Sequence, residues 1–544
     1  MDERIRKDVF AEKIVFTKGN VENPQCLLKE RVLQITTDER DCAVLSNGAE
    51  GEKAEILLDF GREMDASPRI LTHLVGGGPS AKVRVVCGES VSEAMSDIGF
   101  KNATNDHALR DYVTELIPFS DMTFSESGFR FVRIVLEGEN TKVRLKALSA
   151  VEFYRDIPYL GTFECDSELL NKIYSTAAYT CHLCMQQFVW DGIKRDRLVW
   201  VGDMHPEMLT IRTVFGRQPV FEKSLGFMRD STPVEGWMNG MPAYSLWWLT
   251  MVWDWYYYTG SREFLEENRS YALALGAKIA ALVDEDGRDG LPGYFLDWPS
   301  HDTPWEQAGT RALMALALRK TALLTLELGD GELSAKCEAA AEHICKTELF
   351  THGAKQVEAI AALAGWQDMS AAGKNILEKG AEGFSTFMSY YLFTVAASES
   401  VEKALEVLKT YYGGMLSVGA TTFWEDFDIR WLENASPIDM PVPEGRSDVH
   451  GDNGAFCYVG LRHSLCHGWS SAVTAFLAET VLGIKIAAVG CREMVIRPNL
   501  GGLKYAKGTY PTPLGVLSVQ CRSTEDGVAV EFDAPEGMTV RVEK

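Results

Sequence analysis

The chain has 544 residues, 46% hydrophobic and 24% charged, enough for more than one buried core and with no bias toward disorder. Its 77 Asp and Glu against 54 Lys and Arg leave a formal charge of −23, which repels nucleic-acid phosphates and anionic lipid surfaces. Neither nucleic acid nor membrane is therefore an expected partner, and a neutral ligand such as a sugar fits better.

The start, "MDERIRKDVF", has no apolar run of export-signal length, and no later stretch could span a bilayer. Up to about residue 155, "AEILLDFG", "AKVRVVCGE", "FRFVRIVLEG" and "KVRLKALSAVEFY" alternate with the period of strands. An N-terminal β-sandwich over residues 1–160 is expected. The triple glycine of "LVGGGPS" is no phosphate loop, since neither Lys-Ser/Thr nor a helix pattern follows.

Texture changes near Asp166, where an acidic cap opens the helical pattern "DSELLNKIYSTAAYT". Helical runs such as "SLWWLTMVWDWYYYTG" and "TRALMALALRKTALLTLELGDG" recur to about residue 482, several ending in Gly. Their spacing suggests hairpins, and without a strict repeat a closed helical barrel over 161–487 is preferred to an open solenoid. Strand texture returns from about 488 in "EMVIRP" and "GVAVEFDAP", predicting a small C-terminal β-domain over 488–544. The fold class is multidomain α plus β. Twelve cysteines lie scattered in apolar surroundings and read as reduced thiols, which with the missing export signal predicts a cytoplasmic protein.

"DGIKRDRLVWVGD", residues 191–203, carries Asp191, Asp196 and Asp203 beside Lys194, Arg195, Arg197 and an apolar run containing Trp200. Acids taken into an interior must be paired, hydrogen-bonded or used. Their spacings of five and seven residues suit a loop over a cavity. Arg195 and Arg197 could equally neutralise Asp191 and Asp196 as plain ion pairs, and spacing alone does not choose. In "GATTFWEDFD", Glu425 follows Trp424, and a carboxyl against an indole in an apolar pocket tends to hold its proton. Taken alone, a helix-start acid is the commoner explanation. "RHSLCHGWSS" adds His463 and His467.

Metal signals are weak. "CHLC" at Cys181–Cys184 has no second pair, and "DEDGRDG" lacks a distal bidentate Glu, so they read as core and as a turn. No metal or other cofactor is expected. Indoles at 247, 248, 253, 255, 298, 305, 424 and 431 supply sugar-stacking surface in addition to core.

In order along the chain, "DGIKRDRLVWVGD", "GMPAYSLWW", "FLDWPS", "GATTFWEDFD" and "SLCHGWSSAV" resemble the α-L-rhamnosidases of glycoside hydrolase family 78. The resemblance covers about residues 55 to 535, since "ILLDFGREMDASPRI" and "IRPNLGGLKYAKGTYPTPLGVLSV" are similar to that family's flanking β-domains. It implies an (α/α)6 barrel and inverting hydrolysis of terminal α-L-rhamnosides on small glycosides or oligosaccharides. The general acid falls on Asp196 where the family has Glu, a carboxyl with one methylene less reach, and Glu207 is a lesser substitute. The general base falls on Glu425. Asp191, Arg195, Trp200, Asp203, Trp248, Trp298 and His467 fall on substrate-binding positions, with Cys466 where the family has Asn. The longer segment 434–454 is expected to loop over the pocket rim.

Competing readings are a barrel glycosidase for a different sugar, and a catalytically silent sugar-binding relative in which Asp196 marks a lost acid. The sequence leaves the oligomeric state open, a homodimer included.

Overall fold

Alternating Val, Ile and Phe in the first 155 residues build ten strands that hydrogen-bond into one antiparallel network, seen in the computed structural model, which describes residues 2–543. The 22-residue strand Glu55–Gly76 is its spine, pairing with Lys142–Tyr154 along one edge and Ser127–Leu136 along the other. One face of the spine, with Ile56, Leu58 and Ile70, enters the sandwich core. Leu57 and Phe131 face the other way, against a short helix at Val91–Met95.

The first helix of the middle region, Glu168–Cys184, is capped by the Ser167 side chain, which accepts from the Leu170 amide. The expected acidic cap, Asp166, instead accepts from the Lys504 amide in the C-terminal domain. Helix Pro242–Thr259 is apolar on nearly every side, so it is buried all round, and it ends at Gly260 with φ +64. Helix Glu306–Glu327 packs on Pro242–Thr259 and turns back into Gly331–Cys345. Helices Met369–Leu377, Ser389–Glu399 and Val401–Ser417 follow, each packed on the next. The last helical segment, Gly468–Val481, returns to the first helix and closes the ring. "DEDGRDG" makes the turn after Arg262–Ala281, and Cys181 and Cys184 are buried in the ring, as their surroundings suggested.

The strand Thr162–Cys165, inside the span expected for the barrel, is instead an edge of the C-terminal sheet, paired with Tyr505–Thr512. A second small sheet joins Ile484–Ile486, Glu493–Ile496 and Thr539–Val542. Both β-units thus grip the helical ring through strands far apart in sequence. Among the described residues no helix is long and apolar enough to cross a membrane. All twelve cysteines are free.

Candidate active site

Residues 191–203 form an irregular loop between helices, and its backbone is clamped to the segment around His467. Gly192 bridges His467, and the Gly468 amide donates to the Asp191 carbonyl at 2.7 Å. Any side chain at Gly192 would sit 2.9 Å from the Cys466 carbonyl, so only glycine permits this approach.

The loop's cations part company. Arg195, 4% exposed, donates from Nη1 to Asp196 Oδ1 at 2.9 Å and from Nη2 to Glu425. Arg197 reaches outward, to Glu126 of the β-domain and over the Trp190 ring. Lys194 is fully buried between the domains, with Nζ 2.8 Å from Glu93, 3.3 Å from Glu89, and donating to the Leu461 and His463 carbonyls. The plain ion-pair arrangement is therefore met only in part. Arg195 does meet Asp196, but Asp191 receives no arginine; its Oδ1 accepts from the Leu198 amide at 2.9 Å.

Glu425 arrives from the opposite side of the ring. It belongs to no helix: its amide donates to the Ser464 carbonyl, and its Oε2 accepts from the Ser464 amide at 3.1 Å. Burial alone would raise its proton affinity, but Arg195, with His467 and His463 nearby, brings the carboxyl down to about 2. The desolvation expected from the Trp424 neighbour is real but outweighed by the guanidinium.

Asp203 accepts from the Tyr244 hydroxyl at 3.0 Å, and His467 Nε2 lies 3.8 Å from both Asp191 and Asp203. Burial lifts Asp191 well above the usual carboxylate range, with Asp196 and Asp203 adding to the rise. Burial likewise lifts Asp203, the Tyr244 hydrogen bond opposing it. Burial also brings the imidazole of His467 down to about 4, keeping it neutral at pH 7. Glu207 lies beneath, fully buried against Gly468, with no hydrogen-bond partner for either oxygen. Its carboxyl is raised by burial, then by Cys184, Asp203 and Asp191.

Trp200 donates its indole N–H to Asp196 Oδ2 at 3.0 Å. Trp298 stacks on Phe456, 5.6 Å between ring centres, and shares a small cavity with Asp297, Ser385, Glu425, Asp426 and Tyr458. Trp248 does not join them. It is fully buried on the outer side of its helix, donating to the Leu225 carbonyl and meeting Tyr271 edge-on, while Trp247 turns inward beside His205. Its placement on a substrate-binding position is corrected: neighbouring residues on a helix point about 100° apart. Replacing Trp248 by Phe is expected to leave KM for any sugar ligand within about twofold while lowering the thermal midpoint, because it removes packing and not a site contact.

Segment 434–454 does not arch over the rim as expected. The Ile438 carbonyl accepts from the Val91 amide, His450 Nδ1 meets Ser90 Oγ at 2.7 Å, and Ser92 donates to Asp448, so the segment is clasped to the β-domain. Glu89, Glu93 and His450 converge there, and the Lys194 ammonium already pairs with both acids. His107 carried no sequence signal, and Tyr244, Asp297 and Ser464, though they lie inside the motifs "GMPAYSLWW", "FLDWPS" and "SLCHGWSSAV", were not singled out, because each acquires its place through long-range contacts.

Two carboxyls in the same cavity region have raised proton affinity through burial, Asp297 to about 6 and Asp426 to about 8. Such groups favour the folded state most below their unfolded value of about 4, and that advantage is lost as pH rises through the folded values. Glu425, depressed, works in the opposite sense, losing its contribution as pH falls from about 4.5 toward 2. The thermal midpoint is thus expected to fall from about pH 5 to pH 8, as calorimetry across pH would show.

A ring of helices between two β-units thus brings together two carboxyls, one guanidinium and half-buried indoles, groups of the kind that glycosidic chemistry uses. Residues 158–325 match the family model for the bacterial alpha-L-rhamnosidase 6 hairpin glycosidase domain, and residues 483–543 that for the bacterial alpha-L-rhamnosidase C-terminal domain. The two matched stretches are the first part of the helical ring and the small C-terminal β-unit. It is 24% identical to an alpha-L-rhamnosidase of Alteromonas sp. over 89% of this chain and 55% of the relative. In structure it is similar to the family 78 rhamnosidase of Bacillus sp. GL1, with TM-score 0.76, 21% identity, and coverage of 96% of this chain and 55% of the other. It is also similar to a Klebsiella oxytoca rhamnosidase with rhamnose bound, with TM-score 0.68, 16% identity, and coverage of 88% and 96%. The chain spans about half the length of the curated relatives it matches.

Proposed function

We propose that the protein is an inverting exo-glycosidase that removes terminal α-L-rhamnose from small glycosides. The observation that carries this reading is the Arg195 guanidinium, which touches Asp196 and Glu425 at once although the two acids lie far apart in sequence. A single guanidinium joined to both acids keeps their nearest oxygens within roughly 8 Å, a bound that brings them to one sugar ring but spans both the retaining gap of roughly 5–5.5 Å and the inverting gap of roughly 6.5–9.5 Å, so the stereochemistry is decided by the product.

In this mechanism Asp196 protonates the departing glycosidic oxygen. Glu425, kept ionised by Arg195, draws a proton from water on the opposite face of the ring. The ring hydroxyls meet Asp191, Asp203 and neutral His467, while Trp200 and Trp298 face the methyl group and the apolar ring edge. The bound rhamnose described for the Klebsiella oxytoca protein supports the choice of sugar.

A panel of nitrophenyl glycosides tests the sugar: turnover confined to the α-L-rhamnoside supports the reading, and preference for another sugar refutes it. Proton NMR during turnover tests the stereochemistry, the β-anomer of rhamnose being expected first. Trp298→Ala is expected to raise KM by about tenfold or more, the loss of one stacking ring.

The donors surrounding Asp196 favour a second reading, a silent sugar-binding relative. Calorimetric binding of rhamnose without turnover of any glycoside would select it.

A further inference from the structure

The ring holds another cavity, of about 350 Å³, away from the carboxyls of the candidate active site. The helix that starts just after Asp203 carries Arg212 to its wall, nine residues on and roughly 13 Å further along at 1.5 Å per residue. The last helical segment runs likewise from His467 to Glu479. The cavity therefore lies at the other end of the ring, where strand Ile484–Ile486 and Tyr510 of the C-terminal β-unit complete its wall.

That wall is rich in charge. Arg212 donates to Glu479 at 2.6 Å, and the Tyr390 hydroxyl donates to the same carboxylate at 2.7 Å. Lys320 donates to Asp254 Oδ1 at 2.7 Å. His205 lies 3.5 Å from Asp254 Oδ2, and its Nδ1 meets the Tyr391 hydroxyl at 2.6 Å. Lys485 adds a third cation, 4.0 Å from Glu479 and half exposed. Burial opposes ionisation of both acids, but Arg212 beside Glu479 and Lys320 beside Asp254 outweigh it and hold both below the usual carboxylate range. Burial also holds the His205 imidazole below its ordinary value, so it adds no charge at pH 7. Three cations thus face two carboxylates across this lining.

Two further observations mark a built site in place of a plain ion-pair network. Arg212 and Glu479 stand on the two π-helical turns among the described residues, Ile211–Phe215 and Leu477–Val481. Such turns are rare and occur frequently at functional sites. Arg212 Nε is buried without a hydrogen-bond partner. A network serving structure alone would satisfy that N–H, because a buried donor left unmade is costly.

We propose that this cavity binds a small aromatic carboxylate. The surplus positive charge calls for one negative charge, which Arg212 Nε and Lys485 would hold. Tyr257, Tyr391 and Tyr510, with Leu316, Leu363 and Ile486, make the rest of the wall apolar and rich in rings, which suits a flat body. A volume of about 350 Å³ is at the small end of ligand pockets and too little for an oligosaccharide. An inorganic anion would leave the apolar wall uncovered. The site stands apart from the glycosidase reading, since no side chain named in this lining belongs to the candidate active site.

Calorimetric titration of the full chain at pH 7 compares 4-hydroxybenzoate with its neutral counterpart 4-hydroxybenzamide and with acetate, an anion lacking the ring. The benzoate is expected to bind at least about tenfold more tightly than either. Lys485→Gln, at a half-exposed position that folding does not depend on, should weaken it by about fivefold or more. Arg212→Lys keeps a charge opposite Glu479 but lacks Nε, and should weaken it about tenfold, with the thermal midpoint checking the fold. Glu425→Gln should leave the affinity unchanged, and a shift beyond about threefold would place the ligand in the candidate active site and overturn the proposal. No binding of 4-hydroxybenzoate up to about 10 mM, equal affinity for the amide or for acetate, or an affinity that survives Lys485→Gln overturns it as well.

Discussion

Replacing Glu425 by Gln is expected to cut kcat/KM on 4-nitrophenyl α-L-rhamnoside by about 10³-fold, within the range of roughly 10² to 10⁴ that a positioned base contributes. The amide keeps an acceptor for Arg195, so the ion pair becomes a hydrogen bond and the loop need not move far. What disappears is the charge that draws the proton from water. The loss should be the same on activated and unactivated rhamnosides, because the base acts on the nucleophile and not on the leaving group. That signature separates Glu425 from Asp196, whose replacement by Asn should spare the nitrophenyl glycoside and penalise the methyl one. Steady-state rates of Glu425→Gln that match wild type would remove Glu425 from the mechanism.

The largest expected effect on stability lies outside the chemistry, at Lys194. Its ammonium is wholly buried and is the nearest cation to Glu89 and Glu93, and Glu63 lies beside them. Burial lifts Glu89 to about 7, so at neutral pH part of this acid cluster depends on the lysine for its charge balance. Lys194→Met should cost about 3–5 kcal/mol, the usual penalty for removing one member of a buried charged group. Arg110, 3.8 Å from Glu93, compensates only in part. With the cation gone the acids hold their protons more tightly, and protonation removes the uncompensated charge. The penalty should therefore shrink as pH falls below about 5, a dependence a simple cavity would not show. Thermal midpoints at acid and neutral pH measure both. Equal losses at the two would mean that packing, not charge, is what Lys194 supplies.

The same cluster explains why the β-domain belongs to the site. Lys194 and Arg197 are motif residues, yet their acidic partners Glu89, Glu93 and Glu126 all lie before residue 130. The loop that carries Asp196 is thus held by one domain and faces a base from another part of the ring. His107 enters by the same route, its Nδ1 accepting from the Asp196 amide at 2.6 Å.

Local pattern determined the β–α–β order, because a period of two and a period of 3.6 leave different marks in the chain. It also brought out the two acid-bearing motifs, since carboxyls embedded in apolar and aromatic runs have few ordinary uses. Which tryptophan of the pair Trp247–Trp248 faces inward was settled only by packing, for a helix apolar on every side has no stripe to reveal its orientation. The same holds for the division of labour among Lys194, Arg195 and Arg197, and for His107. Their roles are fixed by partners tens to hundreds of residues away, and such contacts leave no local period behind.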